Sequence, residues 1–403
     1  MADALRKGGA TLALPQPDDG EDEALPENPG AEELRLQRRR KRREQRARKD
    51  MEAEGWETSS VSDADGQEEC AKDRSAFCAA AHKQIVADVA ERFSSSSSVL
   101  RPLRAAKEKL QGEYKQAFVP EALPEVLGMY VEHSLLWWDP LRLCCPQSLE
   151  SGSDHVPTWG PKKAVCGTQL EGFDWFEDLA SYTELMGDDD PDGELVPKLV
   201  QQSIFPEVAR RLRHCWDVTS LRQSERVASM LDECLLFEVD QSAAGFAGLL
   251  ESALLRLQKG LEEYAPEVFV PSEALSKWYA SSARKRLLWR SCKIARCALQ
   301  LEGRLPDEQL AQLVLSKVFA SRIAPHLRGP RLDPEELAIV DRFITALPQR
   351  WLERGLPPML VPLRDALGPR APAGPEAAAS RAAAAKVLQR MQCFDEAQAI
   401  LDA

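Results

Sequence analysis

The residues with the clearest chemical capacity are cations. Positions 35–49 read Arg35-Leu-Gln-Arg-Arg-Arg-Lys-Arg-Arg-Glu-Gln-Arg-Ala-Arg-Lys49, ten cations against one acid. Within that run Arg38, Arg39, Arg40, Lys41, Arg42, Arg43, Arg46, Arg48 and Lys49 are dense enough to engage a nuclear-import receptor or a phosphate backbone. Phosphate contacts supply affinity without base information. No aromatic residue is interleaved to stack on bases, which disfavours single-strand readout. A third reading needs no partner, because acidic flanks can neutralise the run. Residues 1–34 carry nine acids and two cations, and residues 50–70 carry eight acids and no cation. The formal net charge of −12 averages over these blocks and conceals them.

Ser60 and Ser62 each have an acid three residues on, Asp63 and Asp65, within the acidic segment 54–69. Such serines suit an acid-directed kinase, and a phosphate there would compete for the arginines; the alternative is a solvated linker. A second basic stretch comprises Arg284, Lys285, Arg286, Arg290, Lys293 and Arg296, with no acid from 284 to 301. It reads as a hydrated helix face or as a surface for an acidic partner or RNA. Leu287, Ile294 and Leu301 mark the apolar stripe of the same helix.

Nucleophilic and metal chemistry find little support. The five histidines, His82, His133, His155, His214 and His326, do not pair at ligand spacing. Cys144 and Cys145 are adjacent, Cys292 and Cys297 are five apart, and no C-x-x-C occurs, so buried apolar thiols are expected. His214 and Cys215 adjoin at a helix end beside Trp216 without an oxyanion loop. Phosphate-loop, G-x-S-x-G and H-E-x-x-H patterns are missing. A non-enzymatic chain with no cofactor is the expectation.

What must position these groups is a set of helices. The chain has 403 residues, 44% hydrophobic and 29% charged, enough for one large domain or two smaller ones. No apolar run approaches the roughly 18 residues of a membrane span, and no apolar leader opens the chain. Residues 1–70 have few large apolar side chains to offset about 1–2 kcal/mol of backbone entropy per residue. They are expected to be disordered, with Glu32 to Lys49 able to turn helical on binding.

From about residue 71 to 403 apolar residues recur at three and four. Val196, Val200, Ile204, Val208 and Leu212 form one stripe, with Pro206 predicted to divide it into two short helices and to sit in the first turn of the second. Leu310 with Val314, and Leu337 with Val340 and Ile344, repeat the period. Val387, Met391, Phe394 and Leu401 predict a closing helix. Ser94–Ser98 reads as a polar spacer, 146–172 and 368–375 as loops, and Gly187–Gly193 as an acidic turn whose carboxylates suit a helix N-terminus. The fold class is all-α, a HEAT-like stack preceded by a charge-blocked tail. A faint Pro-Glu-Val echo at Pro124, Pro206 and Pro266 is explained equally by chance or duplication.

Several landmarks occur in a recognisable order. The basic run precedes Glu54-Gly-Trp-Glu-Thr-Ser-Ser-Val-Ser-Asp63. Then follow Leu135-Leu-Trp-Trp-Asp-Pro-Leu141, Asp174-Trp-Phe-Glu177, Leu195-Val-Pro-Lys-Leu-Val200, Phe205-Pro206, Trp216-Asp217, Leu254-Leu-Arg-Leu257, Leu347-Pro-Gln-Arg-Trp351 and the Lys386-to-Leu401 helix. Their order resembles the GC-rich sequence DNA-binding factor family, with 71–403 as its C-terminal-like domain. Two departures stand out: only 34 residues precede the basic run, and the second Trp-Asp-Pro site reads Trp216-Asp-Val218. The resemblance implies a nuclear protein, in nucleoplasm or nucleolus. It implies a splicing adaptor at the intron-lariat stage of the spliceosome, with a tuftelin-interacting G-patch partner. The alternative it implies is a DNA-binding transcription regulator, whether a GC-rich-element repressor or an adaptor linking PAX factors to histone methylation.

Overall fold

Helical spacing of apolar residues decides where each rod runs and which side it buries. The computed structural model describes residues 76–402 apart from 78–79, 82–83, 86, 137, 139, 142–169, 185–189, 191, 238–243, 271–277, 329–333, 354 and 368–377. The basic run, Ser60 and Ser62, the loop 368–375 and nearly all of 146–172 lie outside the described residues. Among those described there are helices and turns but no strand, so the all-α expectation holds.

The first helices are α1 (Ser96–Lys109), α2 (Gln111–Gln116), α3 (Val119–Leu135) and α4 (Asp174–Thr183). Next come α5 (Leu195–Leu199), a π turn (Val200–Ile204), α6 (Phe205–His214), α7 (Leu221–Leu235) and α8 (Ala244–Tyr264). The third group is α9 (Trp278–Leu299), α10 (Asp307–Ala311) with a long π segment (Gln312–Ile323), and α11 (Pro334–Ala346). The chain closes with α12 (Gln349–Glu353), α13 (Val361–Leu367), α14 (Ala378–Arg390) and α15 (Phe394–Asp402). Helices pack mainly on near neighbours in sequence: α6 on α8, α9 on α11, α11 on α14, α14 on α15. One continuous apolar core runs from Leu100 to Ile400.

The stripe Val196, Val200, Ile204, Val208 and Leu212 is buried throughout. Pro206 does not break it. The proline lies in the first turn of α6, as expected, but the missing N–H is absorbed by the π turn just before it, so two separate helices become one continuous rod. Three other expectations change. Ser94–Ser98 is no spacer: the Ser95 side chain accepts from the Ser98 N–H at 3.2 Å and starts α1. The closing helix is two helices. Gln392 adopts a left-handed conformation (φ 63°), and the Cys393 and Gln392 amides donate to Leu388 and Gln389 carbonyls at 2.9 and 3.0 Å, ending α14. Phe394 and Leu401 are therefore exposed, and Ala397 and Ile400 take the buried side of α15. Finally, Pro124 lies inside α3, Pro206 opens α6, and Pro266 follows α8 outside any helix, so the Pro-Glu-Val echo marks no common structural unit.

Helix α8 approaches the Trp216–Ser220 turn at Gly260. A Cβ on Gly260 would stand 2.2 Å from Val218 Cγ2, inside any permitted contact. Alanine is the better helix former by about 1 kcal/mol, yet overpacking costs about 1–3 kcal/mol. Gly260→Ala should therefore lower stability in denaturant unfolding, and Val218→Ala in the same chain should restore most of it. A more stable Gly260→Ala chain would contradict this packing.

Candidate functional site

Lys107 occupies an apolar position. Leu100, Leu103 and Lys107 follow the three-four spacing of α1, which turns that side of the helix inward, and Lys107 is 0% exposed. A buried ammonium must find oxygen partners. Nζ lies 2.5 Å from Asp190 Oδ1 and 2.9 Å from Asp192 Oδ2, and it donates to the Tyr182 carbonyl at 3.1 Å. It also lies 4.3 Å from the centroid of the Tyr182 ring. The Tyr114 hydroxyl donates to Asp192 Oδ2 at 2.9 Å and stands 2.6 Å from the Tyr182 hydroxyl, which can only donate to it. One cation, two carboxylates and two phenols thus join α1, α2, α4 and the turn before α5. Burial first, then the hydrogen bonds to Tyr182 and Asp192, drives the Tyr114 phenol far above its ordinary range. Burial pushes the Tyr182 phenol up to about 12.

Of the acidic turn only Asp190, Asp192 and Gly193 lie among the described residues, and its two described carboxylates have a different task from the one the sequence suggests. Asp190 and Asp192 face Lys107 instead of serving a helix dipole. Sequence reasoning missed the cluster, although a lysine at an apolar phase position was a readable signal.

Two further joints follow the same principle. Arg211, buried on α6, donates to Glu207 Oε1 at 2.7 Å and to the Leu135 carbonyl at 3.2 Å, and its guanidinium lies 5.5 Å from the Trp138 ring centroid. Glu207 also receives Arg210. Burial opposes ionisation of Glu207, but the two guanidiniums outweigh it and hold the carboxyl below its usual range. Trp138 meets Phe173 edge-on at 6.3 Å, and Phe173 stacks on Trp175 at 5.9 Å. Farther along, the Trp216 indole donates to Ser224 Oγ at 3.3 Å while its carbonyl accepts from Arg256 at 3.0 Å. The aromatic landmarks of the sequence are joints between helices.

The second basic stretch is not one face. Arg284 is buried and donates to Glu336 at 2.7 Å, across from α9 to α11. Lys285 pairs with Glu335 at 2.5 Å, Lys293 is buried and Arg296 partly so. Arg286 and Arg290 are exposed, the latter donating to the Tyr264 carbonyl at 3.5 Å. The helical period explains the division, since Ala280, Arg284, Leu288 and Cys292 share one buried line. Beside Arg284 the buried His326 stacks on Phe269 at 5.8 Å; burial, then Arg284, lowers its pKa.

Cys292 and Cys297 are buried thiols, as expected. Burial pushes Cys297 up to about 11 and Cys292 higher, so both stay protonated near neutrality. His214 ends α6 and the following Cys215 is exposed. Among the described residues no group of histidines, cysteines and carboxylates has the arrangement of a metal site, and no helix is long and apolar enough to cross a membrane.

No family model matches the chain. Individual relatives do. Intron Large complex component GCFC2 of Mus musculus is 24% identical over 286 residues, 67% of this chain and 34% of the relative. PAX3- and PAX7-binding protein 1 of Homo sapiens is 22% identical over 276 residues, 66% and 28% of the two chains. Transcriptional repressor ILP1 of Arabidopsis thaliana is 22% identical over 246 residues, 61% and 25%. At low identity the chain is thus similar to a GC-rich sequence DNA-binding factor-like protein and to PAX-binding protein 1, which matches the resemblance read from its sequence. Its matched part spans about a third or less of these relatives' own length.

Two outcomes test the cluster. Lys107→Met should cost about 3–5 kcal/mol at neutral pH, because two buried carboxylates lose their cation. The deficit should shrink as pH falls, since protonation removes the unpaired charges. In the native chain the folded-state phenols titrate above their unfolded value of 10.0, so this stability is complete below pH 10 and is lost as pH rises toward about 12. Tyr182→Phe should make that alkaline loss shallower in pH-dependent unfolding curves, and an unchanged slope would count against the assignment.

Proposed function

We propose that the chain is a nuclear, non-enzymatic adaptor whose helical region docks partner proteins, acting in pre-mRNA splicing with the late, intron-lariat machinery. The observation that carries this is the similarity, over about three fifths to two thirds of the chain, to three differently named proteins, an intron-complex component, a PAX-binding protein and a repressor. Two of these names, a complex component and a PAX-binding protein, denote assembly with other proteins. The joints described above support the reading physically: their charged and aromatic groups are engaged with one another across helices, which suits a rigid surface for presentation. In this reading a G-patch-type splicing protein is a partner, and Arg38–Arg43, Arg46, Arg48 and Lys49 bring the chain to the nucleus or steady it on nucleic acid. Phosphorylation of Ser60 and Ser62 would weaken that electrostatic contact.

The second reading, a DNA-binding transcription regulator, is favoured by the repressor among the relatives. A salt titration on GC-rich and AT-rich duplexes separates the two. Under the adaptor reading both duplexes bind equally, with log K falling against log salt at a slope of about −5 for about six phosphate contacts. A preference for the GC-rich duplex that survives high salt would favour the regulator. Affinity capture from nuclei with the intact chain should recover splicing proteins, and recovery of transcription factors alone would overturn the splicing role.

A further inference from the structure

Helix α3 has two apolar sides. Leu123, Leu127, Val131 and Leu135 are buried in the core. On the opposite side Ala122, Val126 and Met129, then the half-buried His133 and Leu136 just past the helix end, recur at intervals of four, three, four and three, the seam spacing with which one helix accepts another. Met129 is 62% exposed and Val126 42%. At the head of this seam Phe118 is 68% exposed and held in a left-handed conformation (φ 53°), a sterically costly arrangement for a bulky residue that gains no burial there. Glu121, Glu125 and Glu132 are exposed along one edge, and neither Glu121 nor Glu125 is ion-paired among the described residues.

We propose that this side of α3 docks a single amphipathic helix of a partner protein, apolar on its contact line and lysine- or arginine-rich along the edge that meets the three glutamates. The proposal rests on the adaptor reading and names its surface. Charge selects the occupant. A second copy of this chain would set the same carboxylates against each other, and an anionic lipid surface would be repelled by them. From Ala122 to Leu136 the seam is roughly 21 Å long at 1.5 Å per residue, so the occupant is a helix of about four turns. The few anchoring side chains make an interface below the standard size, with affinity on the order of 10 µM.

The probe is a synthetic 18-residue helical peptide with leucines at seam spacing and lysines on both edges, measured by fluorescence anisotropy against the full chain. Its control replaces the lysines with glutamates. The lysine peptide should bind at least tenfold more tightly than the control. Met129→Glu should weaken it at least tenfold, and Glu125→Lys should narrow the difference between the peptides. Both sites are exposed, and unchanged thermal unfolding confirms that each variant folds. Equal binding of the two peptides, or wild-type affinity in Met129→Glu, would overturn the proposal. So would a concentration-dependent dimer abolished by Met129→Glu, because the occupant would then be a second copy. In nuclear crosslinking, protein partners recovered equally by wild-type and Met129→Glu chains overturn this face and leave the adaptor reading standing. A wild-type chain that recovers no protein partner overturns both.

Discussion

A cation placed inside a helical stack has to be answered there. Lys107 has no solvent, so its ammonium depends on Asp190, Asp192 and a main-chain carbonyl, and those groups come from chain segments more than 70 residues away. Two helices with only apolar faces can slide or rotate against each other at modest cost. A buried charge with fixed partners permits one arrangement, since any displacement leaves ions unpaired in a poor solvent for them. The Arg284–Glu336 pair repeats the constraint between α9 and α11, and Arg211 repeats it where α6 meets the end of α3. These contacts add little net stability relative to apolar side chains of similar size. What they add is register.

Aromatic residues extend the same arrangement. Trp138, Phe173 and Trp175 fill the space beside Arg211, and Trp216 is held by hydrogen bonds from both its indole and its carbonyl. Among the described sequence landmarks, Trp138, Trp175 and Trp216 stand where helices are fastened together. At each of these places a residue answers to several others at once.

The helical class and the buried stripes were legible because the three-four period is local. Val196 through Leu212 could be placed on one side of a rod from spacing alone, and the structure buries all five. Four features were not read from the sequence. Pro206 announced a break, but whether a chain breaks or widens into a π turn depends on the tertiary cost of interrupting the stripe. Gln392 gave no glycine signal for the left-handed turn it makes. The cations at 284–296 looked like one surface because their number was read without their phase; the helical period puts Arg284 and Lys293 inside and Arg286 and Arg290 outside. The partners of Lys107 were hidden for a simpler reason, since a contact across more than 70 residues leaves no periodic trace.

The near-contact of Gly260 with Val218 has a consequence for descent. Val218 stands where the earlier Trp-Asp site of this chain has Pro140, and its methyls fill the space a side chain on α8 would need. In homologues that keep this crossing, a bulkier residue at 260 should be tolerated only beside a smaller one at 218. The two positions should thus change in concert across the lineage, a correlation carried by volume alone.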